Sequence, residues 1–279
     1  MLKIYSFCLG SLLLLASCMD KKPVVIPEEN AFKVFPATFK QKVLLENIVS
    51  EAVGQSVENS FFIAQLQQKY GDRLIVANLH KQDWLETPHT NDLITMLGGL
   101  SSYPRAAINR SLSIDELPSE NDIALMKPIN WEYHIEKALQ QEADVTMGLE
   151  TEMVNPQMGS VKVHIAHKKN LGADMRMGLY MVENNIQSIF QVESNENYKH
   201  QDVMKNSIFD IMGDAVDLSA ENEEGEIITK EYRDIDLKFY HLEHLHVVAF
   251  LYKYDKDFRK MRIHNVATVQ FGGVKFWNQ

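Results

Sequence analysis

Few side chains here could do chemistry, and their types narrow what that chemistry is. Among the 279 residues there are two cysteines, Cys8 and Cys18. Cys18 ends the run Leu15-Ala16-Ser17-Cys18, in which small residues precede a thiol. This is the pattern of a lipobox, where cleavage before the cysteine leaves it as the first mature residue and its thiol accepts a diacylglycerol. Lys3 and the apolar run from Ile4 to Ala16 read as an export signal, too short to span a bilayer comfortably. An ordinary signal peptide with an incidental cysteine is the alternative. Cys8 leaves with the signal, so the mature chain has no thiol besides Cys18 and no internal disulfide. Thiol-disulfide chemistry needs a free thiolate and is excluded on that count.

The other candidates are weaker. His241, His244 and His246 cluster near a strand, and in a strand His244 and His246 share a face. Zinc or copper would need a third ligand, which His164 or His167 supplies only if their strands adjoin. Solvated histidines on an outer sheet face are the plainer reading, and no metal or other cofactor is expected. His200 and Asp202 have the types of an acid-base pair but no nucleophile in view. Methionines such as Met147, Met175, Met177 and Met181 sit at alternating apolar positions, where they serve as packing. The acidic run from Glu221 to Glu226 lacks the spacing of a helix-loop-helix calcium site. Asp and Glu outnumber Lys and Arg by 38 to 28, giving a net charge of −10. Such a chain is a poor partner for nucleic acid.

The elements that would hold these residues change character along the chain. Residues 18–38, rich in Lys, Pro and Glu, read as a tether. From Phe39 the pattern alternates. Strands are expected at Val43 to Ile48, Leu74 to His80 and Arg105 to Arg110. Helices are expected at Val57 to Tyr70, Asn91 to Leu97 and Trp131 to Gln141. After about Ala143, short alternating stretches follow without helices: Ser160 to Ala166, Arg176 to Val182, Asp234 to Tyr240, His246 to Tyr252 and Met261 to Phe271. The expected organisation is an α+β chain: signal 1–17, lipidated tether 18–38, an α/β domain 39–144 and an antiparallel β-sandwich 145–279.

Three segments resemble the outer-membrane protein 28-related lipoproteins of Bacteroidota: Val43 to Ile48, Lys69-Tyr70-Gly71-Asp72-Arg73 with Leu74 to His80, and Tyr103-Pro104 through Asn109-Arg110. Tyr198 to Lys205 and His246 to Phe250 add weaker matches. The resemblance implies a thioredoxin-like first half and an outer-membrane location. Many members carry Cys-x-x-Cys-Pro after the first strand, and here that site falls on Val53, Gly54, Gln55 and Ser56 followed by Val57. Valine and serine cannot exchange disulfides, so the scaffold is kept and the reaction lost. Pro104 stands where such domains place a cis-proline beside the active loop, as a peptide-docking edge or as inherited architecture. The Ser50 to Asn59 segment is expected on an exposed edge beside that turn.

The expected function is therefore non-enzymatic: a lipoprotein of the outer membrane, anchored through Cys18, that binds or assembles with an envelope protein or peptide. Metal or carbohydrate binding through the second half, or an enzyme with an unrecognised site, are the alternatives.

Overall fold

The computed structural model describes residues 32–100, 102–111, 124–219, 225–257 and 261–277. The signal and Cys18 lie outside these residues. Strands β1 (Val43–Val49) and β2 (Leu74–His80) are apolar at nearly every position, and they are covered on both faces. They pair in parallel, with Asn47 opposite Asn78, and β3 (Arg105–Ile108) joins β1 antiparallel. Helix α1 (Gln55–Tyr70) starts two residues earlier than expected and stops where Gly71 takes a φ of 57°. Its Ile63 and Leu66 pack with Val43, Leu45 and Val76 and with Trp131 of α3 (Trp131–Leu139). On the opposite face lies α2 (Pro88–Met96), whose N-terminus is capped by the Thr87 hydroxyl.

The second half is built of strands. A four-stranded sheet runs in the order β11 (Ile227–Asp236), β5 (Met158–His167), β4 (Val145–Asn155), β14 (Val274–Lys275). A larger, eight-stranded sheet runs β13 (Ile263–Gln270), β12 (Leu245–Lys253), β6 (Gly172–Glu183), β9 (Val203–Ser207), then β2, β1 and β3. The short β10 (Asp214–Leu218) also pairs with β6. One apolar cluster lies between these sheets, with Leu149, Val163 and Ile165 against Met177, Leu179, Val247 and Ala249. Strands β7 (Ile186–Gln187) and β8 (Lys199–His200) form a separate ribbon.

Three expectations need correction. The larger sheet crosses the expected 144/145 boundary, because β9 pairs with β6 on one side and bridges Asn78 of β2 through Val203 on the other. The cluster under α2 is shared accordingly: Leu44, Ile75 and Leu93 meet Tyr180, Phe250 and Tyr252. Helix α2, nine residues long, leaves part of that face open, and aromatic side chains of the second half fill it. The tether is also shorter than its composition suggests. Phe32 stacks on His164 at 4.1 Å and meets Trp277 edge-on, over Gly148, where a side chain would collide with its ring. Finally, only the start of Asp234 to Tyr240 is a strand, as the end of β11 at Asp236. The chain bulges between Tyr232 and Ile235, Asp234 takes a φ of 58°, and a turn follows β11 at Leu237 to Tyr240.

Candidate functional site

The Val53 to Ser56 segment leads from the loop after β1 into α1, and it is roofed. Gln55 is exposed, but Ser56 is buried, its hydroxyl donating to the Ser50 carbonyl at 3.0 Å. Gly54 leaves no room for a side chain, because a Cβ there would meet the Glu193 carboxylate. The roof is the stretch between β7 and β8. The Val192 amide donates to the Glu51 carbonyl at 2.9 Å, and Gln191 Nε2 to the Val53 carbonyl at 3.2 Å. The exposed edge expected for Ser50 to Asn59 is thus corrected: Glu51 and Asn59 are buried as well. The sequence conceals this because the covering residues lie about 140 positions away. The Tyr103–Pro104 bond is cis, and Pro104 is half-buried.

Two imidazole–carboxylate pairs meet beneath the roof. His200 Nε2 lies 2.8 Å from Glu51 Oε1, and His80 Nδ1 lies 2.7 Å from Asp83 Oδ2. The rings contact edge-to-face at 4.7 Å, and the Glu51 amide donates to Asp83 Oδ2 at 2.9 Å. Burial pushes the Glu51 carboxyl up, but bonds from His200 and Ser188 outweigh it and leave the pKa below its usual value. Burial likewise opposes the Asp83 charge, and the His80 bond turns the balance downward. For His200, burial dominates and lowers the pKa, against the pull of Glu51. The Ser188 hydroxyl donates to Glu51 at 2.7 Å, so its proton points at a carboxylate rather than at a base. The arrangement can hold protons and fasten the roof. The expected His200–Asp202 pair does not form, because Asp202 accepts from Gln67 at 2.9 Å.

Beside this cluster a cleft of about 390 Å³ opens between α1 and the 191–202 stretch. Its floor is the register pair Asn47 and Asn78, tied in a relay of amides. Asn59 Nδ2 donates to Asn47 Oδ1 at 3.2 Å, Asn47 Nδ2 to Asn78 Oδ1 at 2.7 Å, and Asn78 Nδ2 to the Gln201 carbonyl at 2.7 Å. Phe61 stands in the wall with 65 % of its surface exposed. The sequence shows Asn47 and Asn78 only as polar residues inside apolar runs, which is a usable signal, and His80 and Asp83 only by their closeness.

The remaining histidines do not assemble. His241 Nδ1 is 2.6 Å from Glu183 Oε1. His244 lies in a short turn at 242–244 rather than in β12, so it does not share a face with His246. His164 is held by Thr229 and Glu150, and His167 Nδ1 faces the Lys169 carbonyl. Among the described residues no three His, Cys, Asp or Glu side chains gather as metal ligands. The acidic run from Glu221 lies almost wholly outside the described residues.

A second buried charge cluster joins the two halves. Arg110 grips Glu46 with two bonds of 2.9 and 2.7 Å, and Tyr180 donates to the same carboxylate at 2.8 Å. The guanidinium lies 5.0 Å from the ring centres of Phe250 and of Tyr252. No cleft reaches it, and its place is in the core.

The model of the family described as outer membrane protein Omp28 matches residues 93–274. No curated protein is significantly similar in sequence. Among solved structures, HBP35 of Porphyromonas gingivalis has a similar fold, with a TM-score of 0.71 at 18 % identity over 88 % of this chain and 79 % of that one. Protein AGR_C_4864 from Agrobacterium tumefaciens gives a TM-score of 0.53 at 11 % identity, over 85 % of this chain and 97 % of that one.

Proposed function

This chain belongs to the Omp28 family of outer membrane proteins, and from that premise we propose that it is a lipid-anchored, non-enzymatic binding component of the outer membrane. The observation that carries the reading is the roofed loop beside an open cleft. Where a redox member would present two thiols, Val53, Gly54, Gln55 and Ser56 lie under the 188–193 stretch, and no thiol is present after Cys18. What stays open is the cleft between α1 and the second half, the position between two units where ligands commonly bind. The partner proposed is an envelope protein or peptide. In the finer reading of the fold, the first half is a thioredoxin-like unit. The parallel β1 and β2, the antiparallel β3 and the cis-proline before it support this. The second half is a β-sandwich, supported by the two sheets facing across one apolar cluster.

The anchor is tested by Cys18→Ala. Acyl chains contribute about 0.8 kcal/mol per buried methylene, so the variant is expected in the soluble fraction after a carbonate wash. Retention in the membrane pellet would overturn lipidation at Cys18. Turnover of insulin disulfides by the purified full-length protein would overturn the non-enzymatic reading.

A further inference from the structure

We propose that the cleft between α1 and the 191–202 stretch binds an uncharged, extended peptide segment bearing aromatic or branched apolar side chains, and that the amide floor grips its main chain. The inference rests on the binding role proposed above and names the ligand of that site.

Four observations lead there. First, primary amides are the commonest polar groups of the lining: seven Asn and Gln side chains, beside one lysine, Lys199, one carboxylate, Asp202, and His80 and His200, each already paired with a carboxylate. Asp202 is already engaged by Gln67 at 2.9 Å. A strongly charged ligand finds little to neutralise it here. Second, each primary amide carries two N–H donors and two lone pairs. The floor relay uses one donor of Asn78, which is partly exposed and keeps a further N–H for a ligand, while Asn47 is buried and holds Asn78 in place. A side-chain amide and a peptide unit match donor to acceptor and acceptor to donor. Third, Asn47 and Asn78 are register partners on adjacent strands and their side-chain amides touch at 2.7 Å, which makes the floor one continuous polar strip across two strands. That fixes a short row of polar contacts along one line, suited to an extended backbone. Fourth, large apolar side chains are exposed in the wall and on the chain that leads into it. Phe61 is 65 % exposed in the wall, and Ile189 and Phe190, next to the lining residue Gln191, are 73 % and 68 % exposed. Large apolar side chains left in water beside a polar floor are what a ligand with its own apolar side chains would cover. A saccharide offers hydroxyls to the amides but no comparable apolar side chains for these three residues.

The test uses full-length lipidated protein in detergent and three probes labelled with the same dye. The first is a blocked neutral peptide alternating threonine and phenylalanine, the second the same peptide with glutamate for threonine, and the third chitobiose. Fluorescence anisotropy is expected to show saturable binding of the neutral peptide, at least tenfold weaker binding of the acidic one and none of the sugar. Phe61→Ser, at an exposed position, and Asn78→Leu, in the floor, are each expected to weaken the neutral peptide about tenfold. Phe61→Ser keeps the test valid if Asn78→Leu fails to fold. Equal binding of both peptides, or binding unchanged in Phe61→Ser, overturns the proposal. Chitobiose binding without peptide binding overturns the ligand class while leaving a binding role standing. Silence of all three probes overturns the peptide assignment for this cleft, and the insulin assay then decides the non-enzymatic reading separately.

Discussion

Two buried charge clusters tie the first half of this protein to the second, and they do so by opposite means. Around Glu46, Arg110 and Tyr180 the ion pair is sealed: none of the three exposes more than 3 % of its surface. Burial works against the guanidinium, but the Glu46 carboxylate raises its pKa far above any physiological pH. Under the roof, Glu51–His200 and His80–Asp83 are built on imidazoles instead, and burial lowers the pKa of His200. The first cluster fixes the shared core. The second joins segments around the cleft and depends on pH. The comparison teaches that burial alone does not separate a structural ion pair from a conditional one; the identity of the base does.

The largest effect is expected at the sealed cluster. Arg110→Met leaves Glu46 at 0 % exposure with only the Tyr180 hydroxyl against it, and breaking one side of a buried pair costs about 3–5 kcal/mol. Urea unfolding followed by circular dichroism is expected to show the midpoint falling sharply, or no folded protein at all. An unchanged midpoint would mean that the cluster is not what joins the halves.

Acid comes next. His200 and His89 both have folded pKa values below the ordinary 6.5, His89 down to about 4 through burial and the nearby Arg110. The unfolded chain therefore binds these protons first. Their contribution is complete above about pH 6.5 and is lost as pH falls toward the folded values. For His89 the difference of 2.5 units amounts to about 3 kcal/mol at 1.36 kcal/mol per unit. Glu51, also lowered, adds its loss further down, as pH falls below 4.5 through its folded value. Stability measured from pH 7.5 to 5 is expected to fall, and His200→Gln is expected to flatten that fall. Equal slopes would place the acid sensitivity elsewhere than under the roof.

A smaller contrast lies within the loop. Ser56→Ala removes a buried hydroxyl that bonds the Ser50 carbonyl, a loss of about 1–2 kcal/mol. Gln55→Ala, one residue earlier and exposed, is expected to stay within about 0.5 kcal/mol. Two equal midpoints would deny that the roof packs on the loop. The smallest effect is expected on the surface, where Lys69 reaches Glu132 and Glu136 at 2.7 Å from an exposed site. Lys69→Met should leave the melting midpoint where it is, because solvent screens such pairs.

Much of the fold is legible in the residues. Val43 to Val49 and Leu74 to His80 can only be strands covered on both faces, and Gly71 ends α1 because glycine enters its φ of 57° without strain. The positions of the two cysteines, Cys8 and Cys18, are likewise legible. What the residues alone leave undecided is pairing at long range. His200 stands two places from Asp202 in the chain, yet its partner is Glu51, 149 residues away. Glu46 reads as a flaw in an apolar strand until Arg110 is seen against it. The hydrophobic pattern assigns each segment to strand or helix from local periodicity alone. It carries no information on which side chains a sheet shared by both halves brings together. Composition and periodicity determined the elements, the acidic balance and the absent thiols. Only the tertiary structure decided that the Val53 to Ser56 loop is roofed and that the cleft beside it stays open, because both depend on contacts across more than a hundred residues of chain.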